Sequence, residues 1–338
     1  MSLRIIRPGL LTTVQDLGRP GYQHLGVVLS GALDATALRV ANLLVGNPED
    51  AAGLEITLLG PTLHFEADHL IALTGADLSP TLDGRPAPQH RPIAVRAGMV
   101  LAFGEPRAGC RAYLAVAGGL GVPLVLGSRA TYLRAALGGW NGRALQAGDE
   151  LPVDAPTAVG QQMIHLLAPA TSPHTWVAAR WTPGPLLCPR PRPQPLIRAV
   201  RGPEYGQFAE ASQQAFWREP FTITPAADRM GYRLQGPMLA RATTPELLSS
   251  AVTFGTVQVP PGGHPIALLA DAQTTGGYPR LAQIVTADFS ALAQARPGQQ
   301  LRFAEATLAE AQALYLAQEW RIHSFRKALA AHAGLARL

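Results

Sequence analysis

Lysine is almost missing from this sequence. Among 338 residues there is one, Lys327, and arginine supplies the rest of the positive charge behind a net +5. That excludes a P-loop nucleotide site, which needs a lysine behind its glycines. It excludes a core Schiff-base lysine, and an Ala-Met-Lys-Met segment carrying its own biotin. Long apolar runs are also missing: none reaches the roughly twenty residues of a membrane-spanning helix. No signal peptide precedes the first structured residues, so the expectation is a cytoplasmic protein away from membranes. The two cysteines, Cys110 and Cys188, have no metal or redox spacing and read as buried free thiols. The nine histidines are dispersed. No His/Cys/Asp/Glu cluster, Gly-x-Ser-x-Gly elbow or Cys/His pair points to a metal or a nucleophile triad. The arginines are scattered without interleaved aromatics, so nucleic acid is not an expected partner despite a pI near 9.6.

What is abundant is punctuation. Thirty-four glycines and thirty prolines separate many short apolar runs, the pattern of a β-rich protein with many turns. Strands are expected at 4–7, 54–59, 62–66, 69–73, 93–96, 99–103, 111–116, 196–200 and 252–260. Asp34 is placed to cap a helix over 35–45, and Asn47-Pro48 to start a short second one. A helix is also expected over 205–217. Thr307-Leu308-Ala309-Glu310 is a capping box opening a C-terminal helix, with Leu308, Leu314, Trp320, Phe325 and Leu329 as its apolar complement. Six prolines within 183–195 form a semi-rigid connector. The expected organisation is a first domain over 1–195, a second over 196–305 and the helix over 306–338.

One stretch is too polar for its setting. Pro265–Ala270 reads as a buried strand and Leu281–Val285 as its successor. Between them stand Asp271, Gln273, Thr274, Thr275, Gly276, Gly277, Tyr278 and Arg280. The glycine pair permits φ > 0 or close approach of a ligand. The alternative is a polar hairpin satisfying its own backbone. A second polar segment holds Thr12, Thr13, Gln15, Asp16 and Arg19. It reads as a site or as an edge strand ending in a turn. Asp34 is a cap or a ligand-facing group. Arg229 and Arg233, around Tyr232, could clamp a carboxylate or form a surface ion-pair cluster. Three short echoes suggest an internal repeat: 60–63 with 236–239, 71–77 with 266–271, and 98–103 with 298–303. Asp77 would then be the counterpart of Asp271. The repeat would also allow strands to be exchanged between two related barrels. The pocket chemistry suits a small polar amide, urea or carboxylate.

Assembled in order, these motifs resemble the biotin-dependent carboxyltransferase family. That family takes in allophanate hydrolase subunit 2, KipA-like proteins and the C subunits of bacterial 5-oxoprolinases (PxpC). The resemblance covers about 4–305. It rests on Gly-Leu-Leu-Thr-Thr-Val-Gln-Asp-Leu-Gly-Arg at 9–19, Gly-Ala-Leu-Asp at 31–34, Ala-Asn-Leu-Leu-Val-Gly-Asn at 41–47 and Leu-Thr-Gly-Ala-Asp at 73–77. Arg-Gly-Pro-Glu at 201–204, Asp-Arg-Met-Gly-Tyr-Arg-Leu at 228–234 and Gln-Thr-Thr-Gly-Gly-Tyr-Pro at 273–279 complete it. Two departures border the key loop: Leu-Ser-Ser-Ala-Val at 248–252 in place of a Ser-Glu-Pro step, and Ala272 in place of an arginine.

The resemblance implies a mainly β fold of two cyclophilin-like β-barrel domains with a few short helices and a C-terminal helix. It implies a C subunit of an ATP-dependent 5-oxoprolinase, opening 5-oxoproline to glutamate with subunits A and B. Alternatives are a carboxyltransferase component acting on urea or a similar amide, and a non-enzymatic KipA-like regulator binding a KipI-like inhibitor of a histidine kinase. No cofactor is expected on this chain. ATP is used by the complex, and biotin enters only under the carboxyltransferase alternative, carried by another protein. In the first reading Asp16, Asp271, Gln273 and Tyr278 are the candidate catalytic residues, with Asp16 or Asp271 orienting or deprotonating. Thr12, Thr13, Arg19, Asp34, Asp77, Arg229, Tyr232, Thr274, Thr275, Gly276, Gly277 and Arg280 are candidate substrate contacts. Arg229 or Arg280 would hold a substrate carboxylate, and the Gly276-Gly277 amides would stabilise developing negative charge.

Overall fold

A computed structural model describes residues 2–167, 176–243 and 245–332. The chain is mainly β, with five α-helices among the described residues. It divides into two compact units. The first comprises Met1–Gly18, Asp34–Arg190 and Trp320–Leu338; the second comprises Arg19–Leu33 and Pro191–Glu319.

The first unit holds two six-stranded sheets that share one apolar core. Strands His69–Asp77 and Ala108–Val116 pair antiparallel at the centre of one sheet. Their near-continuous apolar sequence follows from burial of both faces. Ile71, Leu73, Leu114 and Val116 point to the inter-sheet core. The alternating Leu70, Ala72, Ala115 and Ala117 point to a second cluster under helix α1 (Ala35–Leu44). Asp34 caps α1 as expected, its carboxylate accepting from Ala37 N at 3.0 Å.

The expected second helix at Asn47-Pro48 does not form; residues 47–50 are turn and irregular chain. Asn47 is buried and serves tertiary structure instead of a cap. Its amide donates to Val116 O (2.7 Å), and its carbonyl accepts from Gly118 N (2.8 Å). Cys110 is buried and Cys188 half-buried, and neither is in a disulfide among the described residues; burial pushes the Cys188 thiol up to about 12.

The second unit is a closed seven-stranded barrel. Around it run Leu196–Arg201, Arg280–Ile284, Thr256–Gln258, Ile266–Leu268, Gly231–Gln235, Phe221–Ile223 and Gln300–Glu305, which closes back in parallel on the first. The expected helix 205–217 is split into a 3-10 turn, Tyr205–Gln207, and a helix Glu210–Arg218. Phe216 of that helix stacks on Phe303 with ring centroids 4.4 Å apart and lies 5.9 Å from Phe221.

The capping box forms as expected: Glu310 N donates to Thr307 Oγ1 (3.2 Å) and Thr307 N to Glu310 Oε2 (2.7 Å). The helix runs Leu308–His332; residues 333–338 of the expected helical segment lie outside the described residues. Its apolar complement is the expected one in part: Leu329 and Phe325 join the cluster under α1. Ile322 and Leu329 are buried, while Leu308 and Trp320 are 65% and 69% exposed.

Of the three sequence echoes, the last has a structural counterpart. Gly98 and Gly298 both take left-handed φ (88° and 84°). Their amides donate to Phe65 O and Ile223 O, each at 2.8 Å. The strand facing Gly298 is thus Phe221–Ile223 and not the 236–239 segment. Asp77 is half-buried, accepts from Ser79 N at 2.9 Å, and has a setting unlike that of Asp271.

Replacing Asn47 by alanine strands the buried Val116 carbonyl and Gly118 amide. The expected loss is about 2–3 kcal/mol of unfolding free energy, measured by urea denaturation. A loss under about 0.5 kcal/mol would contradict the bridging role.

Candidate functional site

The polar connection 271–280 is not a hairpin. Ile266–Leu268 and Arg280–Ile284 both pair antiparallel with Thr256–Gln258, one on each side. They are therefore parallel to each other, and the chain must travel back along the barrel between them. The length of the connection follows from that return.

Two anchors hold it. The inner one is buried. Asp228 Oδ1 accepts from Met230 N (2.8 Å) and Gly231 N (3.2 Å), an Asx-type turn that aims Arg229 inward. Arg229 then grips Asp271 in a two-bond fork, Nε to Oδ2 at 2.9 Å and Nη2 to Oδ1 at 3.1 Å. Nη2 also donates to Gly31 O at 2.6 Å. Both side chains are about 95% buried. Ser30 and Gly31 take consecutive left-handed φ values, 56° and 86°, which bring this segment against the loop; Ser30 N donates to Ala270 O at 3.0 Å.

The outer anchor is Arg280. It forks onto Glu204 at 2.9 and 2.8 Å and donates from Nη1 to Ala251 O at 3.2 Å. The Arg280 guanidinium holds the Glu204 carboxyl below the usual carboxylate range.

Between the anchors, Thr275–Gly276 pairs with Ser250–Ala251, so the divergent 248–252 segment is the loop's own strand partner. Gln273, Thr275, Gly277 and Tyr278 are exposed and Thr274 half-buried. Of the two uses the glycine pair permits, φ > 0 is not taken: neither Gly276 nor Gly277 is among the left-handed residues. Gly276 is needed for packing. A Cβ there would meet Gln258 Nε2 at 2.4 Å, and that amide donates to Tyr278 O (3.3 Å).

Gly277–Pro279 form one wall of a cavity of about 580 Å³. Met238–Arg241, Val259–Pro261 and Gly263 complete it. Its polar equipment is the Tyr278 phenol, the Arg241 guanidinium and exposed loop backbone. Arg241 Nη2 donates to Gln207 Oε1 at 2.8 Å, while its Nε is buried without a partner among the described residues. Sequence reasoning did not single out Arg241; only the barrel brings it beside Tyr278.

The other candidates sit elsewhere. Tyr232 is core, its hydroxyl donating to Ala295 O (3.1 Å). Arg229 and Arg233 do not converge: Arg229 is buried and Arg233 faces outward. Arg19 is fully buried in the second unit. Thr12, Thr13, Asp16, Asp34 and Asp77 belong to the first unit. There Thr12 Oγ1 donates to Pro8 O (2.7 Å) and Thr13 Oγ1 accepts from Gln15 Nε2 (3.0 Å). Asp16 accepts from Gly18 N (2.8 Å), Ser128 Oγ (2.7 Å) and Arg129 N. Also unforeseen is a buried chain in this unit. Tyr113 donates to Glu55 Oε2 (2.7 Å) and accepts from Asp34 N (2.8 Å). Burial, with Glu55 and Asp34 beside it, pushes the Tyr113 hydroxyl well above its ordinary range. Among the described residues no group of three His, Cys, Asp or Glu side chains could hold a metal ion, and no helix is long and apolar enough to cross a membrane.

Residues 25–305 match the carboxyltransferase domain, subdomain A and B, and the chain belongs to that family. It is 45% identical to the C subunit of 5-oxoprolinase from Escherichia coli K12, over 95% of this chain and 99% of that one. With the C subunit of 5-oxoprolinase from Haemophilus influenzae the identity is 40%, over 93% and 94%. The crystal structure of the Kluyveromyces lactis urea carboxylase superposes with a TM-score of 0.85 at 30% identity, covering 96% of this chain and 29% of that one.

The Asp271→Asn variant leaves the Arg229 charge buried and is expected to lose about 3–5 kcal/mol. The double change Arg229→Met, Asp271→Leu should recover most of it, as read by a denaturation cycle. An additive double variant would refute the coupling. At the outer anchor, Glu204 titrates lower in the folded than in the unfolded chain. The pair therefore stabilises the fold above the ordinary value of 4.5, and the contribution is lost as pH falls through the lower folded value. The stability gap between wild type and Glu204→Gln should be full at pH 6–7 and close below roughly pH 4. A gap independent of pH contradicts the assignment.

Proposed function

We propose that this chain is the C subunit of a 5-oxoprolinase, acting with subunits A and B to open 5-oxoproline to glutamate at the expense of ATP. The observation that carries this is the end-to-end likeness to the E. coli C subunit, 45% identical over 99% of that protein. The cavity beside the 271–280 loop supports it. At about 580 Å³ it has room for a five-membered cyclic amide bearing a carboxylate. Arg241 would take the carboxylate, while Tyr278 and the exposed amides of Gly277 and Tyr278 would face the ring amide.

Arg229 and Arg280, each already forked onto an acid, set the loop that forms the wall. Tyr278 lines the cavity, and Gln273 is exposed on the same loop. With one lysine, and that one at position 327, the chain has no P-loop lysine, which supports placing a P-loop ATP site on another subunit. The chain carries no cofactor in this reading, and the complex works in the cytoplasm. Partner binding is supported by Leu308, Tyr315, Leu316 and Trp320, which stay 44–69% exposed along one helix. A carboxyltransferase acting on urea or a similar amide, with biotin on another protein, is a second reading. It is favoured by the TM-score of 0.85 with the K. lactis urea carboxylase.

The test is ATP-dependent glutamate release from 5-oxoproline by the reconstituted A–B–C complex. Absence of release with wild-type chain overturns the first reading. Arg241→Gln is expected to raise KM by about ten- to a hundredfold with a smaller effect on kcat. Full activity in a Gln273→Ala, Tyr278→Ala double variant would remove the loop from the site.

A further inference from the structure

A second cavity, of about 340 Å³, opens on the outer face of the barrel. Three neighbouring barrel segments build it. Arg233 and Gln235 are the outward-facing positions of Gly231–Gln235, alternating with buried Tyr232 and Leu234. Thr224 follows the strand Phe221–Ile223 and its amide donates to Arg233 O at 2.9 Å. His264 precedes Ile266, which lies opposite Arg233 in register. All four polar residues line the same space over a floor that includes Pro265 and Ile266.

Two observations point to a ligand. Arg233 makes no ion pair among the described residues, and no acidic residue lines the cavity. The floor is apolar, so the space suits an anion that carries an apolar body better than a bare inorganic one.

We propose that this cavity binds a small organic acid, its carboxylate held by the Arg233 guanidinium with His264, its short apolar body on the Pro265–Ile266 floor. The site is separate from the one beside the 271–280 loop, from which the 260–263 turn divides it: Pro260 lines both cavities, Gly262 this one and Gly263 the other. It does not depend on the 5-oxoprolinase reading.

Isovalerate, inorganic phosphate and isoamyl alcohol are the probes, titrated into the full chain and followed by ligand-observed NMR and calorimetry. Isovalerate is expected to bind saturably with a Kd on the order of 1 mM or tighter. Isoamyl alcohol, of like shape without the charge, should bind at least tenfold more weakly. Arg233→Gln and His264→Gln should each weaken isovalerate severalfold, and together tenfold or more. Tyr278→Ala, at the other cavity, should leave it unchanged. The proposal is overturned by the absence of saturable isovalerate binding, by equal binding to the Arg233→Gln, His264→Gln variant, or by phosphate binding tighter than isovalerate.

Discussion

A guanidinium and a carboxylate shut away from water must find each other, and the second unit is arranged around one such pair. Arg229 and Asp271 come from segments 42 residues apart, and each is about 95% buried. Neither could stay charged there alone. Their fork fixes where the polar connection leaves the barrel. The third bond, to Gly31 O, ties in a segment from far earlier in the chain. The backbone pairs between 229–230 and 269–271 are the frame that holds the two charges in register. Everything outward of this point can be polar and exposed because its root is fixed.

The connection itself illustrates how topology sets loop length. Its two flanking strands are parallel with one strand between them, so a two-residue turn could not join them. The extra residues pair briefly with 250–251, are pinned at the far end by Arg280 on Glu204, and wall a cavity on the way. A polar wall is thus a by-product of the return path that a site can use.

Local interactions were the legible part of the fold. Asp34 capping α1, the Thr307–Glu310 box and the alternation of the central strands all depend on neighbours a few positions away. The β-rich class followed from the glycine and proline punctuation. What the sequence could not expose were pairings between distant segments. Arg229 and Arg233 looked like a clamp because they are four apart, yet strand alternation sends one inward and the other out. Asn47 looked like a cap because Pro48 follows it, yet its amide bridges to Val116 and Gly118. Arg241 carried no local signal at all; the barrel sets residues 238–241 against 277–279 around one cavity.

The division of the chain has a consequence for synthesis. Leu33 is fully buried in the barrel core with residues as late as Phe303. Ile322 and Leu329 complete the cluster under α1 near the other end of the sequence. As the ribosome delivers the polypeptide from its N-terminus, neither core can close on the portion already made. The segment 19–33 must wait for the barrel strands, and α1 must wait for the last helix. The inter-sheet core of the first unit draws on residues 3–153 and can form early, but the barrel and the cluster under α1 stay open until late, exposing unfinished apolar surface to the chaperones that meet nascent chains.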